Sequence, residues 1–136
     1  MRIIRILLWP ISLIYGLITF LRNKCFDIGI FQVYEIPKKS ICVGNLSTGG
    51  TGKTPHVAYL ADLLNDKIQT SILSRGYGRI TKGFILVNDK HTSNEVGDEP
   101  LFYHSLFNSK INVAVCEKRK FGIQQIQTLF PENELI

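Results

Sequence analysis

Residues 40–65 read SICVGNLSTGGTGKTPHVAYLADLLN, and the order of their parts decides the fold. Ser40–Leu46 is a short, largely apolar run with the length of a buried strand. Lys53–Asn65 carries Val57, Leu60, Ala61 and Leu64 at helical spacing, so a helix follows. Between the two, Ser47-Thr48-Gly49-Gly50-Thr51-Gly52-Lys53-Thr54 matches the tail of G-x-x-x-x-G-K-[ST], with Ser47 where the strict pattern has glycine. Glycines let a backbone close round phosphates, so that successive N–H groups and a helix N-terminus meet the anionic oxygens. In that arrangement the Lys53 ammonium bridges the β- and γ-phosphates, and the Thr54 hydroxyl serves as a ligand for Mg²⁺. Strand, glycine-rich loop and helix in this order imply a nucleotide site and leave the reaction open, because such loops serve ATPases, GTPases and kinases alike.

Outward from this unit, Thr70–Leu73, Phe84–Val87 and Ile111–Val115 read as further strands, and Glu99–Phe107 and Arg119–Phe130 as helices. The alternation predicts an α/β domain, a mostly parallel sheet of the P-loop NTPase type covered by helices. Pro131 breaks the last helix, and Glu134-Leu135-Ile136 opens one more strand, so an incomplete domain is expected. A chain of 136 residues suffices for one compact core. The expected organisation is a membrane-associated helix over residues 1–24, a connector over 25–39 and a nucleotide-binding domain over 40–136.

The net charge of +5 is concentrated at the start of the chain, where residues 1–24 carry Arg2, Arg5, Arg22 and Lys24 and no acid. These cations bracket ILLWPISLIYGLITFL, 16 apolar residues from Ile6 to Leu21 interrupted by Pro10. A spanning helix needs about 20 apolar residues, and the ring types of Trp9 and Tyr15 settle at lipid headgroup level. No small-residue cleavage site follows, so the segment is not expected to be removed. Three readings remain: an interfacial helix on an anionic leaflet, a short spanning anchor, and a helix buried against the domain, with the flanking cations favouring the first.

The body of the chain is nearly neutral, and its one basic run, Lys118-Arg119-Lys120, is short enough to be a solvated helix face, which argues against a nucleic-acid partner. Cys25, Cys42 and Cys116 are odd in number and widely spaced, which excludes a disulfide framework and a zinc site. His56, His91 and His104 also lack metal-ligand spacing. No obligate protein partner is evident.

Three blocks line up behind the apolar segment: VGNLSTGGTGKTP at 43–55, LSRGYGR at 73–79 and VGDEP at 96–100. Their order and spacing resemble the tetraacyldisaccharide 4'-kinases of lipid A biosynthesis, and the resemblance covers essentially the whole chain. It implies transfer of the ATP γ-phosphate to the 4'-hydroxyl of an acylated glucosamine disaccharide, with Mg²⁺, at the cytoplasmic face of a bacterial inner membrane. By the same resemblance Asp98 is the base acting on the sugar hydroxyl, Glu99 helps hold Mg²⁺, and Arg75 and Tyr77 meet the lipid headgroup. Read without the resemblance, Asp98 is a helix cap with Pro100 in the first turn, and Arg75-Gly76-Tyr77-Gly78 is a turn leaving a strand.

Members of that family continue into a D-D-x-x-Q-H-R block and a second, smaller domain. Residues 1–136 alone are therefore expected to lack phosphate transfer. Two other readings compete. A membrane-associated ATPase switch of the partition or ion-pump type shares the G-G-x-G-K-T loop, but usually has a second lysine just before the glycines, and Ser47-Thr48 has none. A non-catalytic fragment would bind nucleotide weakly or only anchor to membrane.

Overall fold

The structure, a computed structural model, describes residues 2–44 and 51–136, with side chains from Leu8 onward. The strand end expected at Asn45-Leu46 and the loop residues Ser47–Gly50 lie outside the described residues. The chain divides into two compact units, Met1–Glu35 and Ile36–Ile136.

The first unit is one helix, α1 (Arg2–Asp27), with Pro10 inside it. Its last turn closes through Ile28 N–H donating to the Lys24 carbonyl at 3.0 Å and Phe31 N–H donating to the Cys25 carbonyl at 3.1 Å. The Phe31 ring then meets Phe26 edge to face, with centroids 5.1 Å apart. Trp9, Leu13, Ile14, Leu17, Ile18 and Leu21 are all exposed, and at 100° per residue they share one half of the helix; the exposed Leu8, Ile11, Tyr15 and Phe20 widen this apolar face and leave a narrow strip of Ser12, Gly16, Thr19 and Asn23. Among the described residues no helix is long and apolar enough to cross a membrane.

The second unit is an α/β fold with a small mixed sheet. Helix α2 (Lys53–Asn65) precedes strands β1 (Ser71–Ser74) and β2 (Ile85–Leu86). Helices α3 (Ser93–Val96) and α4 (Asp98–Phe107), strand β3 (Asn112–Val115) and helix α5 (Arg119–Leu129) complete it. The sheet order is β1-β3-β2. β1 runs parallel to β3, in the register Ser71 opposite Asn112. β2 departs from the expected parallel sheet, because it pairs antiparallel to β3 with Ile85 opposite Val115. The reason is the connection: residues 75–84 contain no helix, and a parallel return needs a crossover of a dozen or more residues.

The stretch expected as the first strand, Ser40–Leu46, makes no regular strand among its described residues. Its neighbour Lys39 instead forms an isolated parallel bridge with Leu135, and Leu135 forms another with Thr70. Ile136 N–H donates to the Lys39 carbonyl at 3.1 Å, Ile41 N–H donates to the Ile136 carbonyl at 3.0 Å, and Ser71 N–H donates to the Leu135 carbonyl at 2.9 Å. Residues 134–136 thus thread between the Lys39–Ile41 segment and the start of β1 with strand-like hydrogen bonds on both sides.

The core lies between this sheet and α2 and α4. Ile72, Val87, Ile111, Val113 and Val115 from the strands and their flanks pack with Ala61, Val96, Tyr103 and Phe107 from the helices. Alternate β3 residues on a half-buried strand would show an apolar/polar alternation, but Val113, Ala114 and Val115 are all buried, as befits a central strand covered on both faces.

Candidate active site

Gly52, with φ 74° and ψ 21°, caps the N-terminus of α2, so Lys53 and Thr54 are its first two residues and face the end of the glycine-rich loop. His56 Nδ1 lies 2.7 Å from the Gly52 carbonyl oxygen and braces that turn. Thr54 Oγ1 donates to Glu99 Oε1 at 3.0 Å. Glu99 belongs to the first turn of α4, 45 residues away in sequence, so this bond joins two of the blocks that the sequence showed separately. Ser74 Oγ, at the end of β1, donates to Glu99 Oε2 at 3.4 Å. Tyr103, one helical turn after Glu99, donates from its hydroxyl to Glu99 Oε1 at 2.9 Å. Burial first, and then the bond to Glu99 and its negative charge, hold the Tyr103 phenol well above its ordinary ionisation range, so it stays a proton donor.

The third block reaches the same place through its glycines. Gly76 has φ +67°, and a Cβ there would sit 2.8 Å from the Val96 carbonyl oxygen. Gly97 has φ +94°, and a Cβ there would sit 3.0 Å from the Tyr77 carbonyl oxygen and 3.3 Å from the Gly76 carbonyl carbon. The turn after β1 and the junction of α3 with α4 therefore touch backbone to backbone, in conformations that only glycine adopts without strain.

A cleft of about 470 Å³ opens over this cluster, lined by Lys53, Ser74, Arg75, Tyr77, Glu99 and Tyr103, and running along β1 toward Ser40–Gly44 and Ile136. Tyr77 projects with 97% of its surface exposed. Thr51 and Gly52 are the described members of the predicted phosphate loop; Ser47, Thr48, Gly49 and Gly50 are outside the described residues. Asp98 does not share the cluster. It is exposed at the first position of α4, and a helix turns 100° between it and Glu99, so the two neighbouring carboxylates occupy different environments. The reading of Asp98 as the helix cap is corrected: the cap is Gly97, and no side chain closes that terminus.

The donor set suits a small hard cation. A hydroxyl, a carboxylate and a second hydroxyl, all oxygen, converge beside the start of α2, and Mg²⁺ takes one or two carboxylates while keeping waters and substrate phosphates as its other ligands. Among the described residues no group of three or more His, Cys, Asp or Glu gathers to hold a metal without a substrate.

Sequence reasoning missed Tyr103, Ser74 and the brace on the turn after β1. Tyr103 stands four residues after Glu99 on one helix, a spacing that announces a shared face. Arg79 is the brace: its guanidinium, almost wholly covered, pairs with Glu117 and donates to the Gly83 carbonyl at 2.7 Å. Backbone N–H groups of Glu117 and Gly83, with Arg79, keep the Glu117 carboxyl below its ordinary range. The partners lie 38 residues apart, and nothing local in the sequence marks them.

Comparison with known proteins decides what these blocks belong to. A family model for tetraacyldisaccharide-1-P 4'-kinase matches residues 4–136. The chain belongs to this family. The tetraacyldisaccharide 4'-kinase of Cytophaga hutchinsonii is 45% identical over 133 residues, which is 98% of this chain and 38% of that protein. The tetraacyldisaccharide 4'-kinase of Flavobacterium psychrophilum is 45% identical over 136 residues, 100% of this chain and 39% of that protein. The chain thus spans about two fifths of the length of these curated family members. Among solved structures, the crystal structure of LpxK from Aquifex aeolicus in complex with ATP superposes with a TM-score of 0.79 at 38% identity, covering 97% of this chain and 42% of that one.

Proposed function

We propose that this chain is the nucleotide-binding part of a kinase that transfers the ATP γ-phosphate to the 4'-hydroxyl of a tetraacylated glucosamine disaccharide 1-phosphate. The observation that carries the reading is the Thr54–Glu99 hydrogen bond, which brings the phosphate-loop helix and the V-G-D-E-P block to one cleft. Membership of the 4'-kinase family and likeness to an ATP-bound relative support it.

In this reading residues 47–54 cradle the triphosphate, and Lys53 neutralises charge on its β- and γ-phosphates. Thr54 and Glu99 would hold Mg²⁺, which when bound would supply positive charge where phosphoryl transfer accumulates negative charge. Asp98 takes the proton of the sugar hydroxyl as its oxygen bonds to the γ-phosphorus and the bond from that phosphorus to the β,γ-bridging oxygen breaks, releasing ADP. Its exposure suits a group that must meet a substrate from outside, while Glu99 is tied inward. Arg75 and the projecting Tyr77 meet the phosphorylated sugar headgroup at the mouth.

The test is phosphate transfer by the full-length protein. With a tetraacyldisaccharide 1-phosphate acceptor and [γ-³²P]ATP, label is expected in the lipid; label released only as free phosphate, at a rate indifferent to the acceptor, would refute the kinase reading in favour of an ATPase switch.

Helix α1 completes the reading. It exposes a wide apolar face, which water does not favour, beside a narrow strip of Ser12, Gly16, Thr19 and Asn23, and cations flank it at both ends. Its 16-residue apolar run spans roughly 24 Å against the ~30 Å of a bilayer core, so it embeds at the cytoplasmic face of the inner membrane rather than crossing it. Vesicles containing anionic lipid are expected to float the full-length protein, and deletion of residues 1–24 to leave it in the dense fraction. Equal flotation of the two would remove the membrane role from this helix.

A further inference from the structure

We infer that Tyr103 is a positioning residue for Mg²⁺-dependent nucleotide binding: its buried hydroxyl fixes the Glu99 carboxylate so that one oxygen is spent on the protein and the other is left for the metal. The inference rests on the reading of Glu99 as a metal-holding residue and deepens it.

Glu99 Oε1 accepts two hydroxyl hydrogens, from Thr54 at 3.0 Å and from Tyr103 at 2.9 Å. Oε2 accepts a single, long one from Ser74 at 3.4 Å. The carboxylate is therefore engaged asymmetrically, and Oε2 is the oxygen that remains available. Of the donors on Oε1, Thr54 is itself a metal-holding candidate, and its hydroxyl would turn its lone pairs to a cation on binding. Tyr103 has no such second duty. It is 1% exposed, packed in the core with Val96 and Phe107, and its hydroxyl also lies 3.4 Å from the Thr54 carbonyl oxygen. A rigid ring anchored in the core, with its hydroxyl against both the carboxylate and the α2 backbone, sets the distance between the two ligand-bearing turns. Partners that orient a metal ligand in this way typically change metal affinity or activity about 10–100-fold when removed.

The experiment measures ATP binding by calorimetry and turnover across a MgCl₂ series, in the full-length protein and in Tyr103→Phe, Glu99→Gln and the double variant. Tyr103→Phe keeps the ring and its packing and removes only the hydroxyl. The MgCl₂ midpoint of ATP binding is expected to rise about tenfold, with ATP affinity in EDTA unchanged. The double variant is expected to match Glu99→Gln, because the hydroxyl acts only through that carboxylate. If Tyr103→Phe leaves the midpoint in place while Glu99→Gln raises it, the positioning role is overturned and the metal-holding reading of Glu99 stands. If Glu99→Gln itself leaves the midpoint in place, that reading falls and takes the inference with it. A double variant shifted by the sum of the single shifts, or a Tyr103→Phe protein that only melts earlier, assigns Tyr103 to packing and overturns the proposal.

Discussion

Asp98→Asn in the full-length protein is expected to lower turnover about 10²–10⁴-fold, the usual contribution of general-base catalysis, with little change in ATP affinity. The substitution preserves size and removes basicity. Asparagine caps helices as well as aspartate does, so a capping role would leave the variant active; the structure has already put that role elsewhere, since Gly97 is the cap and Asp98 the first helical residue. Steady-state kinetics with a saturating lipid acceptor give the answer, and an Asp98→Asn protein with full turnover would take this residue out of the mechanism.

Lys53→Ala is the second large effect. Lys53 opens α2 immediately after Gly52, and in the proposed reading its ammonium and the N-terminus of that helix meet the same anion. Truncating one partner of a desolvated charge pair costs about 2–5 kcal/mol, which is roughly 30-fold to over 1,000-fold in Kd. Calorimetry with ATP and MgCl₂ is expected to show binding weakened on that scale, with the melting temperature in the absence of nucleotide nearly unchanged because the side chain is exposed. Equal affinity in the two proteins would sink the phosphate-loop assignment.

The parts of the fold that local pattern dictates were legible. The helix expected over Lys53–Asn65 has those bounds, and those expected to begin at Glu99 and at Arg119 shift by a single residue at one end. The strands expected at 70–73, 84–87 and 111–115 moved or shortened by one residue at one or both ends, whereas the one expected at 40–46 forms no regular strand among its described residues. The direction of β2 was not legible, because it is set by the length and bracing of residues 75–84 and by a pair, Arg79 and Glu117, that meet only in the folded chain. Helix α3 did carry a local signal that went unread: Thr92 and Glu95 form a capping box, with the Glu95 carboxylate accepting from the Thr92 N–H at 2.8 Å. In the site, the glycine-rich motif pointed to Lys53 and Thr54, and the family resemblance to Glu99, Arg75 and Tyr77; Lys53, Glu99, Arg75 and Tyr77 line one cleft, and Thr54 is bonded to Glu99. Separating inward Glu99 from outward Asp98 required the helix start itself, which lies one residue earlier than the pattern suggested.

The meeting of Gly76 with Gly97 bears on how this protein can evolve. A side chain arriving at either locus would press on a carbonyl group of the other segment, and no compensating side-chain change nearby moves a carbonyl out of the way. The S-R-G-Y-G and V-G-D-E-P blocks are therefore sterically coupled, so that a side chain added at one must be accommodated by the other. A change that moves the turn carrying the exposed Tyr77 therefore also moves the first turn of α4, where Glu99 is held, so the mouth of the cleft and its floor shift together or not at all.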